Sequence, residues 1–168
     1  MKQILAIVAA FGAAALVAAT ALAGTSSRTH ARAAGALVTL RKTALGSVLV
    51  DARGRTLYLF EKDHNGLSMC TTACVAYWPP LVSHGIPRAG TGVKQSLLTL
   101  GRTHNGIRQV LYAGHPLYTF VGDKHAGQAT GEGLNNFGAE WYAIAASGQK
   151  VEANGSASGV NPGYSSGY

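Results

Sequence analysis

Between Leu37 and Ala146 the apolar residues come in short runs with β-branched or aromatic members, broken by Gly, Pro, Asn and Asp. That pattern predicts strands and turns in place of long helices. Leu37–Arg41 and Ser47–Val50 read as strands. Asp51-Ala52-Arg53-Gly54 reads as a turn, because Asp bonds its own backbone and Gly accepts positive φ. Arg55–Phe60 returns from it, which predicts a hairpin over residues 47–60. Further on, Gln109–Tyr112 predicts a strand, Ala113-Gly114-His115-Pro116 a turn and Leu117–Val121 the returning strand. Leu97–Leu100 and Glu140–Ala146 predict two more strands. Gly131–Gly138 is a glycine-punctuated loop, without the Gly-Lys-Ser/Thr that a phosphate-binding loop needs. Asn65–Pro80 breaks the strand pattern: Ser68 is placed to cap a short helical turn running to Ala76, and Pro79-Pro80 ends it.

The skeleton Leu-Tyr-x-Phe-x-x-Asp occurs twice, in residues 57–63 and 117–123. Leu57, Tyr58, Phe60 and Asp63 recur as Leu117, Tyr118, Phe120 and Asp123, all at an offset of 60 positions. Two copies are too few for a solenoid and suit a closed or two-layer domain of related halves. Alternation along a strand puts Tyr58 and Phe60 on one face and Leu57 and Leu59 on the other. Tyr118 and Phe120 separate from Leu117 and Thr119 in the same way. Both faces of the first copy are apolar, so its strand is expected to be covered on both sides, with the aromatics in the core. Near the end, Trp141, Ala143 and Ala145 share a face, and Tyr142 and Ile144 the other. Asp63 and Asp123 sit where each carboxylate can accept N–H groups of the turn that follows, "DHNG" or "DKHAG". The fold expected is all-β, mainly antiparallel hairpins, a small barrel or sandwich from two related halves with a short helical connector carrying the cysteines.

The ends change the picture of where the chain works. Lys2, an apolar run from Ile4 to Val17 and Ala21-Leu22-Ala23 predict a signal peptide over residues 1–23, cleaved before Gly24. Residues 24–35 read as a flexible tether and 149–168 as a flexible Gly/Ser/Tyr tail, leaving 36–148 as one β-rich domain with motif copies at 47–63 and 109–123. Loss of Lys2 leaves 13 Lys+Arg against 7 Asp+Glu, a net charge of +6. An exported basic chain favours an envelope polymer, an anionic surface or a protein partner over nucleic acid. No transmembrane segment is expected in the mature chain.

Cys70 and Cys74 are the only cysteines, and in an exported chain a disulfide is the first reading. The alternative is copper binding or thiol–disulfide exchange, with Met69 as a neighbouring soft donor. His64 and His125 both trail a motif aspartate, so a zinc or copper site from Asp63, His64, Asp123 and His125 is a second alternative. No His-x3-His or His-Glu-x-x-His spacing supports it. No nucleophile elbow or Ser-x-x-Lys pair is present, and nothing in the spacing holds Asp63 and Asp123 as paired acids. These features predict no catalytic residues and no cofactor.

Tyr58-Leu59-Phe60-Glu61-Lys62-Asp63 and Tyr118-Thr119-Phe120-Val121-Gly122-Asp123 resemble the Tyr-x-(Phe/Trp/Tyr)-x-x-Asp motif of a family of bacterial secreted repeats, many of them predicted lipoproteins. The resemblance takes in Cys70, Cys74, Trp78-Pro79-Pro80-Leu81, Gly114-His115-Pro116-Leu117 and Gly138-Ala139-Glu140-Trp141. It implies an envelope location and carries no activity. Thr25 stands where a lipidated cysteine would follow Leu22-Ala23-Gly24, so release or loose envelope association is expected over lipid anchoring. The function expected is a non-enzymatic secreted or envelope-associated binding or structural module.

Overall fold

The computed structural model describes residues 34–103 and 105–152. The predicted signal peptide, most of the tether, His104 and the tail beyond Glu152 lie outside the described residues. The chain starts with β1 (Leu37–Thr43) and β2 (Gly46–Asp51), an antiparallel hairpin in register from Val38↔Asp51 to Thr43↔Gly46. Gly46 sits at φ 98°, a conformation that glycine adopts without a Cβ clash. β3 (Tyr58–Phe60), α1 (Ala73–Tyr77), β4 (Arg88–Ala89) and a single 3-10 turn (Gln95–Leu97) follow. The remaining strands are β5 (Leu98–Arg102), β6 (Arg108–Tyr112), β7 (His115–Pro116), β8 (Leu134–Asn136) and β9 (Ala139–Ala143). They form three small sheets, ordered β2-β1-β4, β3-β9-β8 and β5-β6-β7. Pairing is antiparallel throughout these sheets except between β1 and β4.

The expected hairpin over residues 47–60 is corrected. Asp51 does make the turn: its Oδ1 accepts the N–H groups of Arg53 and Arg55 at 2.9 and 3.0 Å. The returning chain stays with β2 only as far as Leu57, through a bridge at Val50↔Thr56 flanked by the bonds Asp51 N–H to Arg55 O and Leu57 N–H to Leu49 O. It then leaves for β9, so the hairpin partner of β2 is β1. The second returning strand is shortened likewise. His115 and Pro116 pair with β6, whereas Tyr118 bridges to Tyr58 and Pro80. The helix starts at Ala73, and Thr72 precedes it with no side-chain cap; Ser68 is a buried hydrogen-bonding residue instead. Backbone pairing also runs past Gly148, since Ile144 bridges to Lys150 and Val151 N–H reaches Ala143 O.

The backbone exchange between the two motif copies is reciprocal. Tyr58 N–H donates to Tyr118 O at 2.9 Å, and Tyr118 N–H to Tyr58 O at 3.0 Å. Leu49 N–H reaches Ile144 O, and Val110 N–H reaches Leu81 O, both at 2.8 Å. Ile144 N–H binds Leu57 O, and Leu81 N–H binds Leu117 O. Glu61 N–H binds Glu140 O, and Val121 N–H binds Tyr77 O, both at 3.0 Å. Residues 77–81 therefore pair with the chain around the second motif copy, and residues 140–144 with the chain around the first.

The predicted faces hold. Tyr58, Phe60, Tyr118, Trp141 and Ala143 fall in one buried cluster, with Phe120 packed against it. Leu57, Leu59, Leu117 and Ile144 fall in a second, with Tyr142 packed against that one. The chain at residues 57–60 is thus the wall between two cores. Each large apolar side chain sealed there contributes roughly 1.5–3 kcal/mol.

Candidate functional site

The repeated motif builds its polar centre by crossing. Tyr58 Oη donates to Asp123 Oδ2 at 2.7 Å, and Tyr118 Oη donates to Asp63 Oδ2 at 2.8 Å. Each tyrosine belongs to one copy and its aspartate to the other. The main-chain exchange between Tyr58 and Tyr118 fixes the two strands side by side. Each copy then turns after its Phe, with Asp63 N–H on Phe60 O and Asp123 N–H on Phe120 O, and its carboxylate meets the hydroxyl of the other copy's tyrosine.

The other carboxylate oxygens are also engaged. Asp63 Oδ1 accepts Met69 N–H at 2.7 Å. Asp123 Oδ1 accepts both the N–H and the hydroxyl of Thr130, at 2.8 and 2.7 Å. These acceptances tie down loops six and seven residues further on, which corrects the expectation of caps for the turns immediately following. Each phenol oxygen has further neighbours: Ser68 Oγ lies 2.7 Å from Tyr118 Oη, and Gly131 N–H donates to Tyr58 Oη at 3.3 Å. Gly131 has no room for a side chain, as a Cβ there would lie 2.7 Å from the Trp78 ring.

Around these bonds runs a column of stacked rings. Phe60 lies on Trp141 at 4.0 Å, Trp141 on Trp78 at 3.9 Å, and Trp78 on Phe120 at 4.3 Å. Tyr58 meets Trp78 edge-on at 5.3 Å, and Tyr118 meets Trp141 edge-on at 5.1 Å. Trp78, Trp141, Tyr58 and Tyr118 are all fully buried. Trp141 Nε1 donates to Asn136 O, whereas Trp78 Nε1 is buried without a partner among the described residues. Cys70 and Cys74 are joined in a disulfide, buried against the same cluster.

Burial sets the electrostatics. It pushes the Asp63 carboxyl up to about 6, against the opposing pull of the Met69 and Tyr118 hydrogen bonds and the charge of His64. Burial also pushes both motif phenols far above the ordinary tyrosine range, with the facing carboxylates adding to it. Their hydroxyls stay protonated and act as donors. Glu132, which the sequence pattern did not single out, carries a carboxyl pushed up to about 7 by burial. Its Oε2 accepts Ala143 N–H at 2.7 Å, and its Oε1 is buried with no partner among the described residues. A glutamate inside a glycine-rich loop looks solvated in the sequence, so nothing there signals this position.

His64 and His125 are exposed, and the His125 backbone N–H binds Gln128 Oε1. With the aspartates engaged by tyrosines and main chain, Asp63, His64, Asp123 and His125 do not gather round a common point. Among the described residues no group of three or more His, Cys, Asp or Glu is placed to hold a metal ion. A surface hollow of about 410 Å³ lies between Thr39–Arg41 and Val50–Gly54, away from the tyrosines and aspartates of the crossed pairs. Among the described residues no helix is long and apolar enough to cross a membrane.

No curated protein and no solved structure matches the chain. A family model described as a secreted repeat of unknown function matches residues 39–82 and again residues 100–145. Each matched segment holds one Tyr–Asp motif, and together they span more than half of the sequence, so the chain belongs to this family of secreted repeats.

Proposed function

We propose that this chain is a non-enzymatic secreted or envelope-associated module that binds an anionic component of the cell envelope, and that it is built from two related halves which exchange their closing segments. One observation carries the reading: the hydroxyls and carboxylates of the repeated motif are spent on holding the two copies together. Tyr58, Tyr118, Asp63 and Asp123 satisfy one another, and of the ring column beside them Phe60, Trp141 and Trp78 are buried and Phe120 is half-buried. What the module offers outward is its surface and its basic charge. The mature protein should be retained on isolated envelope material at about 10 mM salt and released towards about 150 mM, as the screening length falls from about 30 to about 8 Å. Absence of retention at the lower salt overturns the reading.

A further inference from the structure

We propose that Tyr77, Val121 and Phe137, flanked by Lys62 and Lys124, form a docking surface for an anionic phospholipid bilayer. The inference rests on the binding reading above and names the surface and the partner.

Phe137 stands where a fold-forming sequence should not put it. It is the first of the two turn residues between β8 and β9, with Asn136 paired to Ala139. Its φ is 60°, and Gly138 follows at 91°. A two-residue hairpin turn with both φ values positive favours Asn or Asp followed by Gly, and a bulky residue at that first position is a genuine outlier. The core does not compensate, because Phe137 is 39% exposed. A local rule broken without packing gain points to a role outside the fold.

Its neighbours supply the rest of the surface. The Phe137 ring lies 5.9 Å from that of Tyr77, which is 54% exposed. Val121, 39% exposed, is tied to Tyr77 by its N–H. Lys62 Nζ donates to Phe137 O at 3.3 Å, and Lys124 Nζ donates to Val121 O at 2.7 Å. Each ammonium is thereby pinned to the backbone of a residue of the apolar patch. Among the described residues neither lysine is ion-paired, and the nearby acids are engaged elsewhere: Glu61 with Lys150 and Glu140 with the Tyr142 hydroxyl.

Two pinned cations beside an apolar patch select an anionic partner. The rings are tilted by 41° and offer no common flat face for a sugar ring to stack on. A protruding Phe, an aliphatic Val and a Tyr with a polar tip, rimmed by lysines, suit the boundary between headgroups and acyl chains.

The test is co-sedimentation of the mature protein with vesicles of phosphatidylglycerol and phosphatidylcholine, and with phosphatidylcholine alone, at low salt. Wild type should bind the anionic vesicles and scarcely the neutral ones. Phe137→Asn gives the turn a residue it favours, so the melting temperature should hold or rise while binding weakens roughly tenfold or more. Lys62→Gln and Lys124→Gln should each weaken it by roughly fivefold. Undiminished binding by Phe137→Asn overturns this surface and leaves the envelope reading standing. Retention on purified anionic wall polymer without vesicle binding overturns the bilayer as partner and likewise spares that reading. Binding to neither overturns both.

Discussion

The Asp63 and Asp123 ends of the crossed pairs use the same parts in unequal surroundings. Both carboxylates take a tyrosine hydroxyl from the other copy and a backbone N–H from their own. Asp123 takes a third donor from the Thr130 hydroxyl and is 7% exposed. Asp63 has no such third donor among the described residues, lies nearer the surface, and has its carboxyl pushed up to about 6. The loops that follow explain the inequality. After Asp63 the chain makes a disulfide and the short helix α1; after Asp123 it makes a wide turn and the β8–β9 hairpin. A repeated motif therefore fixes a repeated bond, while the loop around it decides how deeply that bond is buried.

Removing one hydroxyl at a time should break the equivalence most visibly. Tyr58→Phe leaves Asp123 Oδ2 buried without its donor and Gly131 N–H without its acceptor. The loss should approach about 3 kcal/mol, the upper end for a buried polar group left unpaired. Tyr118→Phe exposes the weakness of the other side, because water can reach Asp63, and should cost about 1 kcal/mol. Urea midpoints at neutral pH measure both. Equal losses would mean that the two ends are equally sealed.

The disulfide sharpens the comparison, since only the first copy has one. Cys70→Ala with Cys74→Ala should cost about 2 kcal/mol by the loop-entropy relation. The effect should stay local. Amide exchange at Met69, whose N–H is held by Asp63, should quicken, while exchange at Thr130, held by Asp123, should not. Equal quickening at both amides would show that the bridge supports the whole crossed centre.

Much of this was legible along the chain. Alternation alone separates Tyr58 and Phe60 from Leu57 and Leu59, because a period of two holds whatever the strand pairs with. The same rule places Trp141 and Ala143 opposite Tyr142 and Ile144. Partner choice was not legible. Asp51 makes the turn its neighbours predict, yet the returning strand goes to β9, a decision fixed by side chains some eighty positions away. The crossing of the tyrosines was hidden for the same reason: each copy carries a complete Tyr–Asp pair, and nothing local says that the bond is made with the other. Phe137 was the opposite case, since Asn136-Phe137-Gly138 shows an unusual turn residue in plain sequence, but only a known hairpin register makes it an anomaly.

The smallest expected effect concerns protons. Asp63 is raised from 3.8 to about 6 and Glu132 from 4.5 to about 7, each chiefly by burial. Between about pH 4 and pH 7 the folded chain therefore binds more protons than the unfolded chain. Stability from these groups is full below pH 4, falls as pH rises, and levels off above about pH 7. His115, whose imidazole is pulled down by burial, acts in the opposite sense, so the informative quantity is the difference between variant and wild type across a pH series. Glu132→Gln keeps an acceptor for Ala143 N–H and should remove the upper part of the slope, from about pH 5 to 7. Asp63→Asn should remove the lower part, from about pH 4 to 6. Each change should be on the order of 1 kcal/mol or less, because both carboxyls are partly screened by solvent. A wild-type slope unaltered by either substitution would assign the pH dependence to groups other than Asp63 and Glu132.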